Sequence, residues 1–266
     1  FVPPVLLGGM AVVGGVGWRV DRGGFNWGCD LAERDQENWE VVPFAGVVYD
    51  LTDRHSVYAS YTSIFQPQTQ RDLNNRILDP EEGNSYEAGL KSEFRDGRLN
   101  TSVAVFRVDQ DNPAEGTGQP IPGGSPNSEA YRAVDGAQTN GFELTASGEI
   151  LPRWQMLAGY THRVTEDPDG DELNTTSPEE MVRLSTRYRL SGRFDGLTVG
   201  AGVAWQNRIY AFVDRPGQSG QYKFVQDSYT LVDLMARYRF SPALAVNANV
   251  RNLTDKKYYK KQGVYR

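Results

Sequence analysis

Catalysis needs nucleophiles, bases or metal ligands at matched spacings, and this sequence offers few. Its histidines are His55 and His162 alone, and its single cysteine is Cys29. A zinc site takes three or four nitrogen, sulfur or carboxylate ligands, and these residues make no such set. No G-x-S-x-G elbow is present to raise a serine nucleophile. One thiol cannot close an internal disulfide, which excludes a stapled secreted domain. The run Asp167-Pro168-Asp169-Gly170-Asp171-Glu172 resembles the opening of a calcium loop, but Pro178 stands where the bidentate glutamate belongs. It reads instead as an acidic loop tip. Gly14-Gly15-Val16-Gly17 lacks the strand-to-helix setting of a nucleotide loop. The formal charge is -6 with no block of Lys or Arg, so nucleic acid has no electrostatic footing. The residues therefore predict no enzyme, no catalytic residue, no metal site and no resident cofactor.

The elements explain the composition better. Apolar and polar residues alternate with period two along nearly the whole chain, the mark of strands with two unlike faces. From Tyr86 one face reads Tyr86, Ala88, Leu90, Ser92, Phe94 and the other Glu87, Gly89, Lys91, Glu93, Arg95. From Val182 the faces are Val182, Leu184, Thr186, Tyr188, Leu190 and Met181, Arg183, Ser185, Arg187, Arg189. Segments from Thr230 and Leu244 repeat the pattern, and further strands are expected at 41–50, 55–66, 98–109, 137–150, 153–166 and 197–213. A doubtful strand precedes residue 21, giving about 10–11 in all, most of them of the ~9–11 residues that cross a bilayer at a tilt.

The connections alternate in length. Short ones are expected at 52–55, 96–98, 151–153, 191–196 and 241–242, and long ones at 67–83, 110–130, 167–176 and 214–225. Short turns on one rim and long loops on the other describe an outer-membrane barrel. A mean hydropathy of -0.55 is no objection, because only alternate residues meet lipid. The apolar stretch from Val2 to Trp18 is broken by Gly8, Gly9, Gly14, Gly15 and Gly17 and by Pro3 and Pro4, which suits no spanning helix. The expected polar face carries Glu87, Lys91, Glu143, Glu149, Arg183, Arg187, Arg189, Arg237 and Arg239. Facing lipid at mid-bilayer, each Arg or Lys would lose roughly 2–4 kcal/mol, so this face should line the lumen. The fold expected is all-β, an antiparallel transmembrane β-barrel present in part.

Several segments resemble the barrel of TonB-dependent siderophore receptors, nearest to ferripyoverdine and hydroxamate types. They run in order: V-Y-A-S-Y-T-S-I-F-Q-P-Q from Val57, L-D-P-E-E-G-N-S-Y-E-A-G-L-K ending at Lys91, D-G-R-L-N-T-S-V-A-V-F at 96–106, N-G-F-E-L-T-A-S-G-E-I at 140–150, W-Q-M-L-A-G-Y-T-H at 154–162, Y-T-L-V-D-L-M-A-R-Y at 229–238 and N-V-R-N-L-T-D-K-K-Y-Y at 249–259. The resemblance implies a barrel of roughly 22 strands with a plugged lumen. On that reading residues 1–266 are the C-terminal portion of the barrel, with the plug, the TonB-contacting segment (the TonB box) and the final strand expected to be absent from them.

It further implies TonB-dependent uptake of a ferric siderophore across the bacterial outer membrane, with iron held by the siderophore as cargo. The alternatives are a passive porin and a TonB-dependent receptor for another cargo. Partners would be the siderophore, the TonB complex, and outer-membrane lipid and lipopolysaccharide, whose bound cations the acidic loop tips could meet. The ligand surface expected on the long loops comprises Gln66, Gln68, Gln70 and Arg71, and Trp205, Arg208, Tyr210, Tyr222 and Phe224. Aromatics offer flat contact area at low entropic cost, and Gln or Arg can bond hydroxamate and peptide oxygens.

Overall fold

The structure is a computed structural model that describes residues 5–7, 10–21, 38–124, 128–214 and 221–259, with side chains described within 41–124, 128–212 and 222–259. Cys29 lies outside the described residues. The strands are β1 (Val5–Leu7), β2 (Met10–Asp21), β3 (Asn38–Thr52), β4 (His55–Gln66), β5 (Glu81–Phe94), β6 (Leu99–Asp111), β7 (Ala114–Pro120), β8 (Glu129–Ala133), β9 (Ala137–Leu151), β10 (Trp154–Glu166), β11 (Glu180–Arg189), β12 (Leu197–Gln206), β13 (Ile209–Asp214), β14 (Gln221–Gln226), β15 (Tyr229–Arg239) and β16 (Ala245–Val250). Twelve of them form one antiparallel sheet in chain order, with β7–β8 and β13–β14 set apart as two hairpins. The region before residue 21 thus holds two strands of the sheet where one was expected.

Register shows why the alternation matters. Residues opposed across an antiparallel ladder share a face. One row runs Tyr49, Val57, Leu90, Val103, Leu144, Tyr160, Val182, Trp205 across β3 to β12. The opposite face carries Glu87, Lys91, Glu143, Arg183, Arg187, Arg237 and their neighbours, as the polar pattern predicts. The apolar face is bare: Val105 is 58% and Val103 46% exposed, and no large side chain among the described residues is fully buried. A compact soluble core is therefore absent from the described residues, and a continuous apolar face of this extent marks a membrane or partner contact.

Two aromatic belts bound the apolar face. Near the short turns lie Phe94, Trp154, Tyr188, Tyr238 and Phe240, with Trp154 packed on Tyr188 and Tyr238 on Phe240, both edge to face. Toward the long loops lie Tyr61 against Tyr86 and Phe142 against Tyr160, with ring centroids 5.4 and 5.6 Å apart. From Tyr86 to Phe94 the strand advances about 27 Å at ~3.4 Å per residue, or about 21 Å in height at a ~40° tilt. That approaches the ~25 Å apolar band of outer-membrane barrels. His55 and His162 stand at opposite ends of the sheet, as expected: His55 Nδ1 lies 2.8 Å from Ser92 Oγ, and His162 lies 3.6 Å from Glu180.

The short turns are built for reversal. In the β5–β6 turn Arg95, Asp96 and Gly97 take φ of 55°, 57° and 77°. Glycine tolerates that region without a Cβ penalty. Arg54 in the β3–β4 turn reaches Asp96 in the β5–β6 turn at 3.5 Å, and Asp195 in the β11–β12 turn receives Arg153 at 2.6 Å and Arg189 at 3.0 Å. These two guanidinium groups hold the Asp195 carboxyl below the usual carboxylate range.

One expected element divides. Alternation predicts a single strand over 197–213, but β12 ends at Gln206 and β13 begins at Ile209. Asn207 turns the chain aside, exchanging bonds with Glu180 through its amide and its side chain. β12 pairs with β15 up to Gln206↔Tyr229, whereas β13 pairs with β14. Alternation runs unbroken through the change because period two reports faces, not partners. The loop 110–130 likewise contains a hairpin, β7–β8, whose Gly- and Pro-bearing strands carry no clear period.

Candidate ligand site on the lumenal wall and loops

Most of the buried apolar residues described lie at the long-loop end: Phe65, Ile121, Ala130, Val134, Ala137, Leu173 and Ile209, with Ala104 apart from them in the middle of β6. Val134, Ala137 and Leu173 form one small core shared by the β8–β9 and β10–β11 connections. Hydrogen bonds knit the loops further. Tyr131 N donates to Arg71 O, and Tyr210 N to Thr175 O, while Thr175 Oγ1 returns a bond to Tyr210 O at 2.9 Å. The long loops are thus a packed layer over one end of the sheet.

Beneath that layer the polar face bears a pocket of about 300 Å³ lined by Phe106, Val108, Gln110, Thr139, Glu143, Thr161, Arg163 and Met181. These come from β6, β9, β10 and β11. Gly141 permits the Phe106 ring to close on the wall, since a Cβ there would strike the ring and the His162 carbonyl. Thr161 Oγ1 donates to Glu143 at 3.3 Å, and Gln110 donates to Glu81. The Arg163 guanidinium has no hydrogen-bond or ion-pair partner among the described residues. A carboxylate, an arginine, an amide and a hydroxyl thus surround an aromatic floor, a set suited to an oxygen-rich ligand of small-molecule size.

Comparison with known proteins decides the family. A model described as "TonB dependent receptor-like, beta-barrel" matches residues 12–253. The chain belongs to the TonB-dependent receptors. Members of this family are outer-membrane receptors and transporters, not enzymes, and the strands described here are barrel wall. The chain is 43% identical over 234 residues to the ferripyoverdine receptor of Pseudomonas aeruginosa, covering 86% of this chain and 29% of that protein. It is 46% identical over 223 residues to the ferric-pyoverdine 358 receptor of Pseudomonas putida, covering 84% of this chain and 27% of the relative. The crystal structure of the P. aeruginosa ferripyoverdine receptor bound to ferripyoverdine superposes with a TM-score of 0.77 at 40% identity, over 96% of this chain and 34% of that one. The chain therefore spans less than a third of the length of these two curated relatives.

Within this receptor wall, the nine residues expected at the ligand surface separate. Trp205 opposes Val182 and Thr230 on the apolar face, so it joins the upper aromatic belt and is no part of the lumenal surface. The expected strand 197–213 already contains Trp205, but which face it takes follows only from its register with β11 and β15. Gln68 is spent on structure: its amide donates to the Asp79 and Asn112 carbonyls, the latter at 2.7 Å. Gln70 Oε1 accepts from Thr69 N, and Arg71 Nη1 donates to Asn75 O, both at 3.0 Å. Gln66 and Arg208 are exposed at strand ends.

The hairpin aromatics divide by face. Tyr210 and Phe212 share one face with Lys223, whose Nζ lies 3.4 Å from the Tyr210 ring centroid, while Tyr222 and Phe224 take the other. Phe224 packs edge to face on Tyr259 at 5.5 Å. Tyr210 donates its hydroxyl to Glu172 at 2.8 Å. Burial first, then this bond to a carboxylate, pushes the Tyr210 phenol up to about 12. The acidic run 167–172 is consumed in the same way. Asp167 Oδ1 accepts from Asp169 N and Asp171 N, and Glu172 serves Tyr210. The lumenal pocket itself was not foreseen. Its residues were visible in the alternation as the face opposite Val105, Phe142 and Tyr160, but their convergence needs the register of four strands.

Proposed function

We propose that this chain forms the C-terminal wall of a receptor that imports a ferric siderophore of the pyoverdine kind across the outer membrane, driven by the TonB complex. Support comes above all from 43–46% identity to two ferric-pyoverdine receptors, carried over more than four fifths of the chain. The lumenal pocket adds to it. Glu143, Arg163, Gln110 and Thr161 offer both donors and acceptors to a peptide-like chelate, and Phe106 a flat apolar contact. Gln66, Arg208, Tyr222 and Phe224 supply the upper contacts from the loop layer. Iron arrives as cargo inside the chelate, so the wall needs no metal ligand of its own. The exposed acidic tips around Asp169 meet divalent cations on lipopolysaccharide, and the apolar belt meets lipid.

The test is uptake of radiolabelled ferric pyoverdine by cells carrying the complete gene. Accumulation should saturate with ligand and fall to background in a strain lacking TonB. Uptake that persists without TonB would remove the mechanism in favour of a passive pore.

A further inference from the structure

The lumenal face of β11 and β15 carries five arginines, Arg183, Arg187, Arg189, Arg237 and Arg239, on either side of β12. Between them β12 presents Thr198, Gly200, Gly202 and Ala204 to the same face, with Gln206 following at its long-loop end. Register sets the rows: Arg183 opposes Ala204, Arg187 opposes Gly200, and Arg189 and Arg237 flank Thr198 from its two sides. The result is a low floor of small residues walled by cations.

Two of these charges have an internal use and three do not. Arg187 donates to Gln155 Oε1 from Nε at 2.8 Å, and Arg189 reaches Asp195 at 3.0 Å. Asp233, the acid on this face, lies opposite Gly202 and accepts the Asn252 amide at 2.8 Å. The guanidinium groups of Arg183, Arg237 and Arg239 are exposed and have no hydrogen-bond or ion-pair partner among the described residues; Arg239 sits at the short-turn end of β15. In its own cross-strand row Arg183 meets Gly159, Ala204 and, beyond it, Leu231, none of which offers an acceptor side chain.

In a closed barrel of this family the lumen is filled, so this wall is covered. A cation covered without a partner is strongly disfavoured, and removing the charge is the usual escape; arginine cannot lose its proton. The covering surface must therefore bring acceptors. Arginine's planar fork matches a carboxylate in two parallel bonds, and the glycines of β12 leave room for a backbone to descend between the two rows. We propose that the β11–β12–β15 wall is the docking face for an acidic segment of the lumen-filling domain of the complete receptor, with carboxylates seated on Arg183 and Arg237. The inference rests on the receptor reading above for the presence of that domain.

The experiment uses the purified full-length receptor without ligand. R183K and R237K each replace the fork with a primary amine that a carbodiimide joins to any carboxylate in direct contact. Mass spectrometry of the digested product should show peptides of β11 or β15 linked to acidic residues of the lumen domain. Such links should be missing from the parent and from R193K, whose position is in the β11–β12 turn. Folded R183K and R237K receptors that yield no link to the lumen domain, or links only to other wall strands, overturn the proposal. A second measurement covers the case in which a lysine variant folds poorly. The R183Q/R237Q double variant should release the lumen domain at a lower urea concentration than the parent; an unchanged midpoint also overturns it. Should the glutamine pair instead weaken ferric-pyoverdine binding several-fold and leave the urea midpoint alone, the arginines serve cargo and the docking face is refuted. Loss of TonB-dependent uptake in the parent would sink the functional reading and leave the crosslinks intact.

Discussion

At the scale of single residues, binding should depend on groups that face the lumen and have spare bonding capacity. Glu143 and Arg163 qualify, and Trp205 does not. A hydrogen bond to a charged group is worth about 1.5–3 kcal/mol, so Glu143→Ala or Arg163→Ala in the complete receptor should weaken ferric-pyoverdine binding by about 10-fold or more. Quenching of siderophore fluorescence gives the affinity. Trp205→Ala should leave it unchanged, and loss of binding there would mean that the apolar face has been assigned wrongly. Tyr210 gives a pH signature. Its phenol ionises at about 12 in the fold, above the ~10 of an unfolded tyrosine. A raised value means that the native state holds the proton more tightly. The contribution is complete below pH 10 and disappears as pH climbs from 10 to 12. A spectrophotometric titration at 295 nm, compared with Tyr210→Phe, should show one phenol missing from the high end of the curve. Disappearance of a phenol titrating near 10 would refute the bond to Glu172.

At the scale of elements, each strand is a two-sided surface, and the two sides obey different solvents. Leu144 and Thr145 are adjacent on β9 and point opposite ways, toward the rows of Val103 and of Ser102. An arginine at Leu144 meets lipid and should reduce the folding stability of the complete receptor in vesicles by roughly 2–4 kcal/mol. An arginine at Thr145 meets the polar lumen and should lose well under half of that. Denaturant titration of tryptophan fluorescence would measure both, and equal losses would mean that the faces are not distinguished by solvent. The hairpins follow another rule. β13–β14 takes its place from packing on the β10–β11 loop, through Tyr210 with Thr175 and Glu172, and not from the wall ladder. That is why the sequence predicted most wall strands to within a few residues and missed the break at Asn207-Arg208.

At the scale of the molecule, an open sheet of twelve strands has two edges, with β1 and β16 outermost. Exposed edges and a bare apolar face both invite aggregation. These 266 residues expressed alone should therefore sediment as aggregate, whereas the complete receptor refolded in detergent should run as a heat-modifiable monomer on a gel. A soluble monomeric fragment would contradict the barrel. Sequence by itself determined the fold class, the strand phases and the rim to which each loop belongs, because period two and connection length are local quantities written into consecutive residues. It also determined which side of the charge-bearing strands faces water, since a charge at mid-bilayer is too unfavourable to be placed at random. What only the tertiary structure decided was which residues meet. Glu143, Arg163 and Phe106 come together across three strands, Trp205 turns to the outer belt, Tyr210 and Phe224 part to opposite faces of a hairpin, and Arg189 and Arg237 face one another across Thr198 of β12. Each of these depends on inter-strand register and loop packing. Residues tens of positions apart set that register jointly, so no local pattern could report it.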